Sequence, residues 1–175
     1  PNGEVLYRHQ KFYFIACINP MYEDVQEMNE AMVSRFDNAI RFYDPTKEKV
    51  LEIMDVTYNF TNVPFIEKAY EYFEAMIRHF NDNPKYKFRL SYRELEAFII
   101  QALGVTLHYG VMTEEDMMSI MNSTMISKMT VNMEDQHYDE LVKISQPYAQ
   151  TFISVLSSVT GNVTVDLGLV KNTLS

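Results

Sequence analysis

The pattern of hydrophobic and polar positions divides the chain into two parts of different character. The first part contains two short apolar runs, Lys11–Ile18 (KFYFIACI) and Ala39–Tyr43 (AIRFY), on either side of a segment with helical spacing. The first run is apolar at both alternating sets of positions, which is typical of a strand buried on both faces of a sheet. We therefore predict two buried strands before the turn signal Asp44–Pro45.

From Pro45 onward the pattern predicts one helix after another. Apolar residues recur at intervals of three and four, and local signals mark several helix ends. Ser91 with Glu94 forms a capping box, and Gly110 stands where a glycine ends a helix. The predicted helices cover Thr46–Val56, Val63–Phe80, Ser91–Tyr109, Thr113–Met125, Asp135–Ile144 and Gln146–Val159. The predicted fold class is mostly α with a small α/β part: two buried strands followed by a helical bundle.

The net charge argues against one class of partner. The chain has 175 residues, with 15 Lys and Arg against 24 Asp and Glu, and a formal net charge of −9. A general surface for nucleic-acid phosphates requires the opposite balance, so nucleic acid is not expected as a partner.

Cysteine content and apolar run length indicate the compartment. Cys17 is the single cysteine, so an intrachain disulfide and a cysteine-based zinc site are excluded. We expect Cys17 to be a buried small side chain in a reducing, cytoplasmic setting. No apolar stretch approaches the roughly 20 residues that span a bilayer, so a membrane is not expected as a partner.

Three polar residues are the candidates for chemistry. Asn19 follows the first predicted strand, and ligands of open α/β sheets bind at the carboxyl ends of strands. Taken alone, however, Asn19 is explained by a turn, and Arg35 by the cap of a helix C-terminus. Arg93 lies two residues after the Ser91 cap, where a cation opposes the helix dipole, and this placement hints at an anionic partner.

Taken together, these motifs resemble those of the MoxR-like, dynein-related branch of AAA+ ATPases. The segment KFYFIACINPMYEDVQEMNEAMVSRFDNAIRFYDP is similar to the second half of that family's ATPase core, with a strand ending in Asn-Pro and a helix ending in Arg-Phe. LSYREL matches the Ser-x-Arg at a helix start in the family's helical lid, and MTEED matches a helix opening that follows. The resemblance covers about residues 4–45 and 88–118.

The resemblance implies a role for each candidate and a division of the chain. Asn19 matches the sensor that positions the attacking water, and Arg35 matches the arginine finger presented to ATP in a neighbouring subunit. Arg93 matches the second sensor, which touches the bound nucleotide from the lid. The domains implied are the end of the ATPase core at 1–44, the helical lid at 45–129 and a C-terminal extension at 130–175.

The implied activity is ATP hydrolysis coupled to remodelling of a protein client, within a ring of like subunits. The family's phosphate loop and acidic strand lie upstream of the position that Pro1 occupies here. ATP and Mg²⁺ are therefore expected only in the context of a complete chain. We predict that the 175 residues alone neither bind ATP tightly nor hydrolyse it, and that they hold no metal.

Two alternatives stay open at this point. The chain could be a non-enzymatic helical interaction module, or an inactive relative that kept the fold and lost the ATP site. Methionines cluster in one segment, and they could form an adaptable binding surface or fill a core. They are Met117, Met118, Met121, Met125 and Met129.

Overall fold

Helices are the only regular secondary structure in the residues that the computed structural model describes, which are 9–11, 13, 15, 17, 34, 40, 43–60 and 63–157. The chain divides into two compact units, Pro1–Phe42 and Tyr43–Ser175. The elements of the second unit are α1 (Lys47–Tyr58), α2 (Val63–Asp82), α3 (Tyr92–Tyr109), α4 (Glu114–Met121), a π-helical segment (Asn122–Ile126), α5 (Ser127–Met129) and α6 (Asp135–Ser157).

The prediction of two buried strands is wrong. Where the structure describes the first run, Tyr13 and Ile15 are 86% and 85% exposed and Cys17 is exposed too, with no strand at these positions. In the second run, Ile40 and Tyr43 are 78% and 77% exposed. An apolar run becomes a buried strand only when other strands flank it and helices cover the sheet. The described residues contain no strand that could flank this run, so the fold class is helical.

The ends of the first four helices predicted after Pro45 agree with the structure to within a few residues. Thr46 is the N-cap of α1, and Thr113 with Asp116 forms a capping box at the start of α4. Gly110 ends α3 with φ +74°, a left-handed conformation that glycine adopts without strain, and its N–H donates to the Thr106 carbonyl at 2.9 Å. Local capping chemistry therefore sets these boundaries.

The two helices predicted at Asp135–Ile144 and Gln146–Val159 are one helix, α6. Pro147 lies inside α6 and removes one backbone donor, yet the helix continues through it. Burial on both sides of the proline holds the helix together. Ser145 is fully buried, shares a 2.7 Å hydrogen bond with the Tyr72 hydroxyl of α2, and lies one turn before the buried Ala149.

A cluster of aromatic rings joins α2, α3 and α6. The Phe152 ring centroid of α6 lies 5.1 Å from that of Phe98, 5.7 Å from that of Phe65 and 5.9 Å from that of Tyr72. All four side chains are fully buried. Since aromatic rings bury the largest apolar area per residue, this cluster is the centre of the core.

The methionine-rich segment belongs to the core. Met117, Met121 and Met125 are fully buried, and Met129 is 1% exposed. They lie on α4, the π-helical segment and α5, which pack against α3 and α6. Met118 is partly buried and packs against the same core, so the core interpretation of these methionines is confirmed.

Candidate functional site

The N-terminus of α3 is held in place by the buried carboxylate of Glu94. The Ser91 backbone N–H and hydroxyl both donate to Glu94 Oε2, at 2.9 and 2.7 Å. Lys128 Nζ of α5 donates to Glu94 Oε1 at 3.0 Å, and the Glu94 side chain is 5% exposed. Burial raises the pKa of Glu94, but the bonds from Ser91 and Lys128 outweigh it, so the pKa lies below its ordinary value.

A second carboxylate fixes the next turn of α3. Glu96 Oε1 accepts hydrogen bonds from the hydroxyls of Tyr58, at 3.0 Å, and Tyr92, at 3.5 Å. Burial, followed by the hydrogen bond to Glu96, raises the pKa of Tyr58 to about 12, so this phenol is neutral at physiological pH. The first turn of α3 is therefore tied to α1 through Tyr58 and to α5 through Lys128.

Arg93 is the exception in this rigid turn. Tyr92 donates to Glu96 on the same helix and Glu94 is bonded to Lys128 of α5, whereas the Arg93 side chain is exposed. Among the residues that the structure describes, no carboxylate forms an ion pair with it. A guanidinium in the first turn opposes the helix dipole, whereas the Glu94 carboxylate of the same turn favours it. The capped turn presents the Arg93 cation to solvent, where an external anion can reach it.

The other two sequence-predicted site residues, Asn19 and Arg35, lie outside the described residues. Arg93 is therefore the one of the three candidates that the described residues include. Sequence reasoning found Glu94 as a capping residue but missed its ion pair with Lys128. The two are 34 positions apart on different helices, so no local pattern links them.

The described residues contain neither a group of possible metal ligands nor a candidate membrane-spanning helix. In residues 43–60 and 63–157 and the few described before them, no three His, Cys, Asp or Glu side chains are grouped so that they could hold a metal ion. Among the same residues, no helix combines the length and apolar character needed to cross a bilayer.

Comparisons with known proteins leave the family open. The chain matches no protein-family model, no curated protein and no solved structure.

Proposed function

We propose that the chain is part of a cytoplasmic AAA+ ATPase and that residues 45–129 act as its lid. In this proposal Arg93 contacts the phosphates of a nucleotide that core residues outside this chain bind together with Mg²⁺. The proteins of the ring would couple ATP hydrolysis to the remodelling of a protein client. Neighbouring subunits and that client are the proposed partners.

The observation that carries the proposal is the environment of Arg93. Arg93 lies in a helix turn that is capped by Ser91 and Glu94, its side chain is exposed, and no described carboxylate forms an ion pair with it. Arginine suits a phosphate because its planar, permanently charged fork donates two parallel hydrogen bonds. A lid that must respond to the nucleotide needs such a contact on a rigid element.

The roles of Asn19 and Arg35 are proposed from the sequence motifs alone. Asn19 would orient the attacking water, and Arg35 would reach ATP in the next subunit. An arginine supplied in trans stabilises the charge that develops on the transferred phosphoryl group, and in GTPases such a group is worth roughly 10³–10⁵ in rate. Assembly would then be required for turnover.

The Arg93→Ala variant tests the proposal in the protein expressed from its complete reading frame. We expect the Kd for a fluorescent ATP analogue to rise about 10- to 100-fold, because a charge-assisted hydrogen bond contributes roughly 1.5–3 kcal/mol. Arg93→Lys should recover part of the affinity. Arg78→Ala, which removes an exposed arginine on α2, is the matched control and should leave the Kd unchanged.

Two results would contradict the proposal. If the complete protein neither binds nor hydrolyses ATP, the ATPase assignment is wrong. If it does both and Arg93→Ala binds ATP as tightly as the parent protein, Arg93 is an ordinary surface residue and the lid contact is wrong.

One observation favours the alternative, a non-enzymatic helical interaction module or an inactive relative. The exposure of Tyr13, Ile15 and Cys17 removes the buried strand after which Asn19 was expected to act. Such a protein would show no dependence on nucleotide in any assay of partner binding. The ATP-binding measurement above therefore separates the two functions.

A further inference from the structure

A groove of about 670 Å³ lies on the helical unit, and Arg93 is not among the residues that line it. Two loops form most of it: the connection between α2 and α3, and the connection between α5 and α6. Three lysines and three apolar side chains make up most of its lining: Lys85, Lys87, Lys128, Phe88, Val131 and Met133.

The groove is rich in cations for so acidic a chain. It gathers three of the 15 basic residues of a protein with a net charge of −9. Lys85 Nζ donates to Glu140 Oε2 at 2.8 Å, and Lys128 Nζ donates to Glu94 Oε1 at 3.0 Å. An ammonium group has three donors, so both lysines keep donors for a ligand. Lys87 is exposed and forms no ion pair with any described residue.

Apolar surface lies between these cations. Phe88 is 39% exposed and Val131 is 61% exposed, although both are large apolar side chains. Glu134 is the acidic residue in the described lining, and its carboxylate already accepts a 2.6 Å hydrogen bond from Gln136. The groove therefore offers ammonium donors around an apolar patch.

Lys85 is held in position before any ligand arrives. Glu140, its partner, also lies 3.4 Å from the Tyr86 hydroxyl and 3.6 Å from His79 Nε2. The hydrogen bond from Lys85 keeps the pKa of Glu140 below its ordinary value, so this carboxylate stays charged near neutral pH. A pre-organised cation lowers the entropy cost of binding an anion.

We propose that this groove binds a short acidic segment of a partner protein, with carboxylates on the lysines and one apolar side chain against Phe88 and Val131. Charge complementarity selects an acidic occupant. A nucleic acid fits less well, because Phe88 is the single phenyl ring in the described lining, whereas successive bases need several stacking surfaces. The inference holds whether or not Arg93 contacts a nucleotide.

Calorimetric titration of the 175-residue chain with an acetylated, amidated peptide of sequence GDEFDELG tests the proposal. We expect saturable binding that Lys87→Glu weakens about tenfold, since the variant places a like charge against the peptide. Lys143→Glu is the matched control, because Lys143 is an exposed lysine on α6 outside the groove, and it should leave the affinity unchanged within about twofold. Circular dichroism checks that both variants fold.

Further probes decide which feature of the peptide is recognised. A peptide with serine in place of phenylalanine and leucine should bind at least fivefold more weakly, and one with lysine in place of every acid should not bind. The proposal is overturned if GDEFDELG does not bind at millimolar concentration, or if Lys143→Glu weakens binding as much as Lys87→Glu. Tighter binding of an eight-nucleotide oligothymidylate that Lys87→Glu weakens would overturn it in favour of a nucleic-acid site.

Discussion

Replacing Phe152 by alanine is expected to lower the free energy of unfolding by about 3–5 kcal/mol. The ring is fully buried and lies within 6 Å, centroid to centroid, of Phe65, Tyr72 and Phe98 on two other helices. Its removal leaves a cavity at the point where α2, α3 and α6 meet. Since a domain of this size has roughly 5–15 kcal/mol of stability in total, the variant should be close to unfolding at 37 °C.

Urea denaturation followed by circular dichroism measures this effect, and Ser154→Ala on the same helix is the control. Ser154 is exposed, so its replacement should change the unfolding free energy by less than about 0.5 kcal/mol. A small effect of Phe152→Ala would mean that α6 is a loosely attached appendage. A large effect would make the helix from Asp135 to Ser157 part of the same cooperative unit as α2 and α3.

Replacing Glu94 by alanine is expected to cost about 2–3 kcal/mol of stability at pH 7, since it removes charge-assisted hydrogen bonds from a buried site. The variant leaves the Ser91 backbone N–H without its acceptor and Lys128 without its partner. Glu94→Gln should cost less, about 1 kcal/mol, because glutamine serves in a capping box but cannot form the ion pair. Thermal unfolding of the two variants beside the parent protein measures the difference.

The stabilisation that the Glu94 carboxylate provides changes with pH in a definite direction. The pKa of Glu94 is lower in the folded protein than in the unfolded chain, so the stabilisation is fully present above about pH 4.3, the ordinary value for a glutamate. It is lost as the pH falls through the lower folded value. The gap in Tm between the parent protein and Glu94→Gln should therefore shrink in acid. A gap that stays constant down to pH 3 would show that the carboxylate charge contributes nothing.

The helical part of the fold could be predicted because its signals are local. Ser91, Thr113 and Gly110 mark helix ends through contacts within four residues, and such contacts are readable without the rest of the structure. Pro147 led to the wrong prediction of two helices in place of α6, because the contacts that support the helix around it are not local. The proline is visible in the sequence, but the buried bond between Ser145 and Tyr72 that supports the helix around it spans 73 positions.

The wrong prediction of two strands and the missed part of the candidate site have the same cause. The apolar run around Tyr13 and Ile15 has the composition of a buried strand, but burial depends on neighbours that a local pattern does not contain. Arg93 was identified because its conflict with the helix dipole is local. Lys128, which anchors the same turn through Glu94, comes from another helix and carries no signal of its own.

The π-helical segment changes the directions in which the buried methionines of this region point around the helix axis. A regular α-helix rotates by about 100° per residue, so twelve residues of it would carry Met129 roughly 120° around the axis from Met117. Both side chains are nevertheless buried, together with Met121 and Met125 at every fourth position between them. The wider turn at Asn122–Ile126 takes up part of that excess rotation. The four-residue spacing of the methionines in the sequence thus corresponds to a helix that departs from 3.6 residues per turn.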